Sequence, residues 1–98
     1  MARLSIRLQE HLKPLLDELR NVPGLTKVKP AIFYSRRIPM LHFHETPEGV
    51  VAELKCVVPV LSGFDRLKTG TVTDRRRLVK EVAARCSLLA ARSSTKRP

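Results

Sequence analysis

The chain predicts a small α+β domain: an antiparallel sheet of three to four strands, flanked by an N-terminal and a C-terminal helix. Three observations predict it. Apolar residues recur every three or four positions near both ends, at Leu4, Leu8, Leu12, Leu15 or Leu16 and Leu19, and again at Leu78, Val82, Cys86 and Leu89. That spacing is one face of a helix. Between them, Met40–Glu45 and Val50–Val58 alternate with a period of two, as half-buried strands do. Helix, strands and helix follow in blocks, which favours segregated layers over βαβ units.

The first helix is expected from Leu4 to Arg20. Pro14 interrupts it, and a mid-helix proline costs about 3 kcal/mol, so a kink or a late start is expected there. Pro23-Gly24 is a stop and turn signal, so the helix ends by Val22. Val28, Ile32 and Tyr34 then alternate with Lys29, Ala31 and Phe33. Pro30 cannot donate to a ladder, which places this strand at a sheet edge or delays its start. Ser35-Arg36-Arg37 reads as a short turn.

The clearest unit is a hairpin, Met40–Glu45 and Val50–Val58, joined by Thr46-Pro47-Glu48-Gly49. Pairing Glu45 with Val50 sets the register. Phe43 then faces Ala52, Leu41 faces Leu54, His44 faces Val51 and His42 faces Glu53. One face is apolar: Leu41, Phe43, Val50, Ala52, Leu54 and Cys56. The other carries Met40, His42, His44, Val51, Glu53 and Lys55. Such a one-sided hairpin packs on helices and turns its second face outward.

Pro59–Gly63 breaks the pattern, and Phe64–Lys68 reads as a short fourth strand. Thr71–Thr73 leads into a long helix with Thr73 as N-cap and Asp74 in the first turn. Val79, Ala83 and Ala90 widen its apolar stripe. Arg75, Arg76, Lys80, Glu81 and Arg85 occupy the other side. Residues 1–92 form one domain in this reading, and 93–98 a disordered basic tail.

Composition bounds the function classes. The 98 residues carry 19 Lys and Arg against nine Asp and Glu, a net charge of +10. Such a field attracts polyanions. No apolar run approaches the roughly 20 residues that span a bilayer, no secretory signal is visible, and two cysteines, Cys56 and Cys86, do not make a disulfide scaffold. These features lead us to expect a soluble cytoplasmic protein with buried free thiols and no membrane partner.

Two constellations carry chemistry. His42 and His44, two apart on a strand, point the same way about 7 Å apart, with Glu53 opposite. Two histidines and a carboxylate are a ligand set for zinc or non-haem iron, and the same groups transfer protons near neutral pH. An ordinary cross-strand polar pair has the same composition. The second is Thr73-Asp74-Arg75-Arg76-Arg77. Free backbone N–H groups and several guanidinium groups at a helix start suit phosphate, although Arg77 and Glu81 also stand at the i, i+4 spacing of a pair. Arg36 and Arg37 would extend that basic surface with Lys27 and Lys29. Aromatic residues are few, so phosphate contacts without base readout are expected. His11 reads as a polar flank of the first helix. No Cys-x-x-Cys, Walker loop, Gly-x-Ser-x-Gly or His-Glu-x-x-His is present.

Part of the chain resembles the luciferase-like domain family. The shared features are a leucine-rich helix ending in Val22-Pro23-Gly24-Leu25, then Phe33, then Leu41-His42-Phe43-His44, then Gly49 and a short apolar strand. They cover about half the chain. The C-terminal part departs from the family, with a basic helix in place of an ending that carries tryptophan and histidine. The resemblance implies a helix-plus-sheet fold and draws interest to His42 and His44. It implies no activity.

Three functions remain open from the sequence. The first is a binding module for nucleic acid or another polyanion through Arg75, Arg76 and Lys80, with Arg36 and Arg37. The second is a non-catalytic interaction domain, with an acidic protein or a second copy of the chain as partner. The third is a metal or acid–base site at His42, His44 and Glu53. No catalytic residue is assigned, and no cofactor is expected under the first two.

Overall fold

The computed structural model describes residues 5–29, 31–47, 49–58 and 61–94. Helices α1 (Ile6–His11) and α2 (Lys13–Leu19) precede strands β1 (Thr26–Lys29), β2 (Ile32–Ser35), β3 (Ile38–Thr46), β4 (Gly49–Lys55) and β5 (Phe64–Lys68), and α3 (Val72–Ser94) closes the chain. The α+β class is as expected. The sheet holds five strands in sequence order, β1-β2-β3-β4-β5, each antiparallel to the next. The extra strand arises where one was expected around Pro30: the chain turns between Lys29 and Ile32 and makes two short strands there. Pro30 itself lies outside the described residues. β1 is an edge strand.

The break in the first helix has its expected cause. Pro14 falls in the first turn of α2, where a missing N–H costs no hydrogen bond. Leu12 sits at the joint, yet Leu12, Leu15, Leu16 and Leu19 still present one buried row. The long helix begins a residue earlier than its expected cap. Thr71, not Thr73, does the capping: its Oγ1 accepts from the Asp74 N–H at 3.0 Å. That bond satisfies one of the free donors of a helix start.

The hairpin register is the one that counting gives, with Leu41↔Leu54, His42↔Glu53, Phe43↔Ala52, His44↔Val51 and Glu45↔Val50. β4 ends at Lys55 rather than Val58. Leu41, Phe43, Ala52 and Leu54 are buried with Phe33 and the leucine rows of α2 and α3. Val50 and Cys56 on that face are half-buried. Met40 departs from the expected face. The β2–β3 register shifts between Phe33↔Leu41 and Tyr34↔Pro39, so Met40 is an extra residue on β3. A bulge reverses the in–out parity at one point, and Met40 and Leu41 are both fully buried.

Helices α2 and α3 therefore share the apolar face of the sheet, with α3 against α2, β4 and β5. Arg85 clamps that layer. Its expected place was the solvent side of α3. Instead its side chain is 15% exposed and bonds Asp65 Oδ2 at 2.9 Å and Glu81 Oε1 at 3.1 Å. Its Nη1 donates to the carbonyls of Leu54 and Lys55 at 3.4 and 3.1 Å. The expected tail begins inside α3, which runs to Ser94; residues 95–98 lie outside the described residues.

Candidate functional site

The second face of the sheet collects what the first excludes. One row crosses four strands at Ile32, His42, Glu53 and Arg66. The strand period puts Val51 and Lys68 beside it on one flank, and Lys55 and Phe64 on the other. His42, His44 and Glu53 meet here, as their spacing requires. His42 Nε2 lies 2.7 Å and His44 Nε2 2.8 Å from the same Oε1 of Glu53. Arg66 Nε donates to the other oxygen, Oε2, at 3.1 Å. The side chains of His42, His44 and Glu53 are about one-fifth exposed, and that of Arg66 is mostly exposed.

Burial raises the Glu53 carboxyl. The hydrogen bond from His42, the neighbouring His44 and the Arg66 bond together outweigh it and hold the group below its ordinary range, as partners that favour the charged form do. The imidazoles stack edge to face, centroids 4.6 Å apart at 88°. Phe64 meets the His42 ring at 5.0 Å, and Lys55 Nζ sits 4.9 Å over Phe64. Ring packing on both sides thus fixes the orientation of His42.

Cations gather where β5 runs into α3. The corner is fixed by Thr69, whose buried Oγ1 donates to the Val50 carbonyl at 2.8 Å. Arg75 Nε donates to the Thr69 carbonyl at 2.9 Å. A groove of about 400 Å³ opens there, lined by Arg66, Lys68, Thr69, Gly70 and Asp74 among others. Among the described residues, Lys68, Arg76, Arg77 and Lys80 form no ion pair. The i, i+4 pair of Arg77 with Glu81 does not form; Glu81 is taken by Arg85.

The five expected polyanion-binding residues fall in two places. Arg75, Arg76 and Lys80 stand in the first three turns of α3; Arg75 reaches the corner through the Thr69 carbonyl, and none of the three lines the groove. Arg36 and Arg37 form the β2–β3 turn, at the other end of the nine-residue β3. At about 3.3 Å per residue, β3 separates the two groups by roughly 26 Å. Two site residues were missed in the sequence. Arg66 was legible only through the β4–β5 register, which places it beside Glu53. Lys68 follows from the same alternation, two residues on.

No protein-family model, curated protein or solved structure matches the chain.

Proposed function

We propose that the chain is a binding module for phosphate-rich polyanions, nucleic acid foremost, contacted at the corner between β5 and α3 by Lys68, Arg75, Arg76 and Lys80. One observation carries the reading: among the described residues Lys68, which lines the groove together with Asp74, and Arg76 and Lys80 on α3 form no ion pair, while Lys13 is taken up by Asp17 and Arg85 by Asp65 and Glu81. An unpaired cation gains from a phosphate what it does not spend on a neighbour. Phe33 and Phe43 are buried, which leaves no stacking platform from those two and favours backbone contacts over base readout. Arg36 and Arg37 join only where a ligand runs the length of the sheet.

The test is fluorescence anisotropy with labelled single- and double-stranded oligonucleotides at several salt concentrations. Four phosphate contacts give a slope of log K against log salt near −3.6, or about a hundredfold loss between roughly 50 and 200 mM. The Lys68→Glu, Arg76→Glu double variant is expected to reduce that slope by about 2. Absence of binding at low salt, or a slope that the variant leaves unchanged, refutes the reading.

A further inference from the structure

The histidine–glutamate cluster is not used by phosphate binding at the corner, and its geometry carries a separate function. His42 and His44 do not merely line the same strand face; their Nε2 atoms converge on one point. Both lie within 2.8 Å of a single carboxylate oxygen. One ligand atom from each of the three residues can be chosen so that all lie within 4.8 Å of one another. Tetrahedral ligands at about 2.0–2.1 Å from a zinc-like ion stand roughly 3.4 Å apart. The two histidine–carboxylate separations are shorter than that, and the whole set spans no more than 4.8 Å, so small shifts of the three side chains make room for the ion.

The surroundings suit a bound ion. Arg66 holds Oε2 and leaves Oε1 as the ligand oxygen. A hydrogen bond of this kind orients a ligating carboxylate. Phe64 packs against His42 and fixes its ring. The strands that carry the ligands are paired on both sides, β3 with β2 and β4, and β4 with β3 and β5. Residues so placed are held more firmly than loop residues are. All three ligands are only partly buried. The outward side of the sheet is therefore open to a water or an external ligand as the fourth partner, the pattern of an open zinc-type site.

We propose that His42 Nε2, His44 Nε2 and Glu53 Oε1 form a mononuclear site for a borderline divalent transition metal, Zn²⁺ in the first instance, with an open coordination position on the exposed sheet face. Two imidazoles select against Mg²⁺ and Ca²⁺, which prefer oxygen ligands. One carboxylate beside Arg66 and Lys55 offsets only part of the ion's charge, so affinity is expected in the micromolar range rather than that of a structural zinc site. This site does not depend on the polyanion reading.

The experiment titrates tag-free protein in metal-free buffer with ZnCl₂ by calorimetry, and with CoCl₂ by visible absorption. One equivalent is expected to bind. His42→Ala, His44→Asn and Glu53→Gln are each expected to weaken it at least tenfold, while His11→Ala and Cys56→Ser leave it unchanged. Circular dichroism checks that each variant is folded. A readout on the unaltered protein does not depend on them: Zn²⁺ should shift the imidazole NMR resonances of His42 and His44 and not those of His11. Failure to bind one equivalent at micromolar Zn²⁺, binding that survives all three ligand variants, or shifts confined to His11 overturns the proposal.

Discussion

The β2–β3 turn offers a stability test that also divides the molecule's charge by position. Ser35 pairs with Ile38, so Arg36 and Arg37 are the two central residues of the hairpin, with φ of 50° and 68°. Two-residue hairpins demand positive φ at both positions, and Asn-Gly meets that demand best. For a residue with a Cβ, left-handed backbone costs about 1 kcal/mol or slightly more. The two arginines therefore store roughly 2 kcal/mol. Asn tolerates the conformation, and Gly adds back up to about 1 kcal/mol by loosening the unfolded chain. Replacing Arg36-Arg37 by Asn-Gly is expected to stabilise the fold by about 1–1.5 kcal/mol, or roughly 5–10 °C in Tm for a domain of this size. The chain has no Trp, so unfolding in urea and heat is followed by circular dichroism. The double alanine variant separates backbone from charge, because it removes the same two charges and keeps the left-handed cost. A midpoint unchanged in the Asn-Gly variant, or an equal gain in the alanine variant, refutes the reasoning. Binding of a duplex about six base pairs long, roughly 20 Å, should be the same in both variants and the parent. Such a probe does not span from the β5–α3 corner to this turn.

Three further outcomes follow from the packing. Arg85→Met removes the clamp on Asp65, Glu81 and two β4 carbonyls and is expected to cost about 2–3 kcal/mol in urea unfolding, with Arg85→Lys recovering little of it because an ammonium cannot span those acceptors. Asp65 is held below its ordinary 3.8 by the hydrogen bond from Arg85 first and by Cys56 next; a depressed folded value stabilises above the unfolded pKa and is lost as pH falls through the folded one. Asp65→Asn should therefore lower the urea midpoint by a constant amount above about pH 4, and the gap to the parent should close below it. Cys86 is buried and its thiol pushed up by that burial, against a hydrogen bond to Ser35, while Cys56 is half-buried. Mass spectrometry after iodoacetamide treatment should show Cys56 modified first and Cys86 only after unfolding.

Local pattern carried most of the fold. Period-two alternation and one turn length placed His42 opposite Glu53, because a hairpin leaves no freedom once Glu45 meets Val50. The helix stripe at Leu78, Val82, Cys86 and Leu89 was equally legible, since burial on one side of a helix leaves a period of 3.6 in the sequence. What escaped depends on partners distant in sequence. The bulge at Met40 arises from pairing with β2, and nothing in residues 38–46 alone marks it. Arg85 looked solvated because it is charged, yet its stem lies along the sheet and its head meets carbonyls thirty residues upstream, as long cationic side chains do. The split of Arg36 and Arg37 from Arg75 and Arg76 is a matter of which end of β3 each reaches, and composition is blind to it.

Arg66 joins the two sites, and that junction separates them experimentally. On the open face Glu53 draws Arg66 to itself, so the groove that Arg66 also lines receives a cation already partly spent on a carboxylate. Removing the Glu53 charge without removing its volume changes both sites in opposite senses. In Glu53→Gln the metal ligand set loses its carboxylate, and Zn²⁺ binding is expected to fall at least tenfold. The same change leaves Arg66 without an anionic partner beside Lys68. Phosphate binding should then tighten, and the salt slope should steepen by about 0.9, the increment for one further contact. If Glu53→Gln weakens nucleic-acid binding together with zinc binding, the two functions share one site and the division drawn here is wrong. If zinc binding falls and the salt slope rises, the corner and the histidine cluster are separate sites coupled through one guanidinium group.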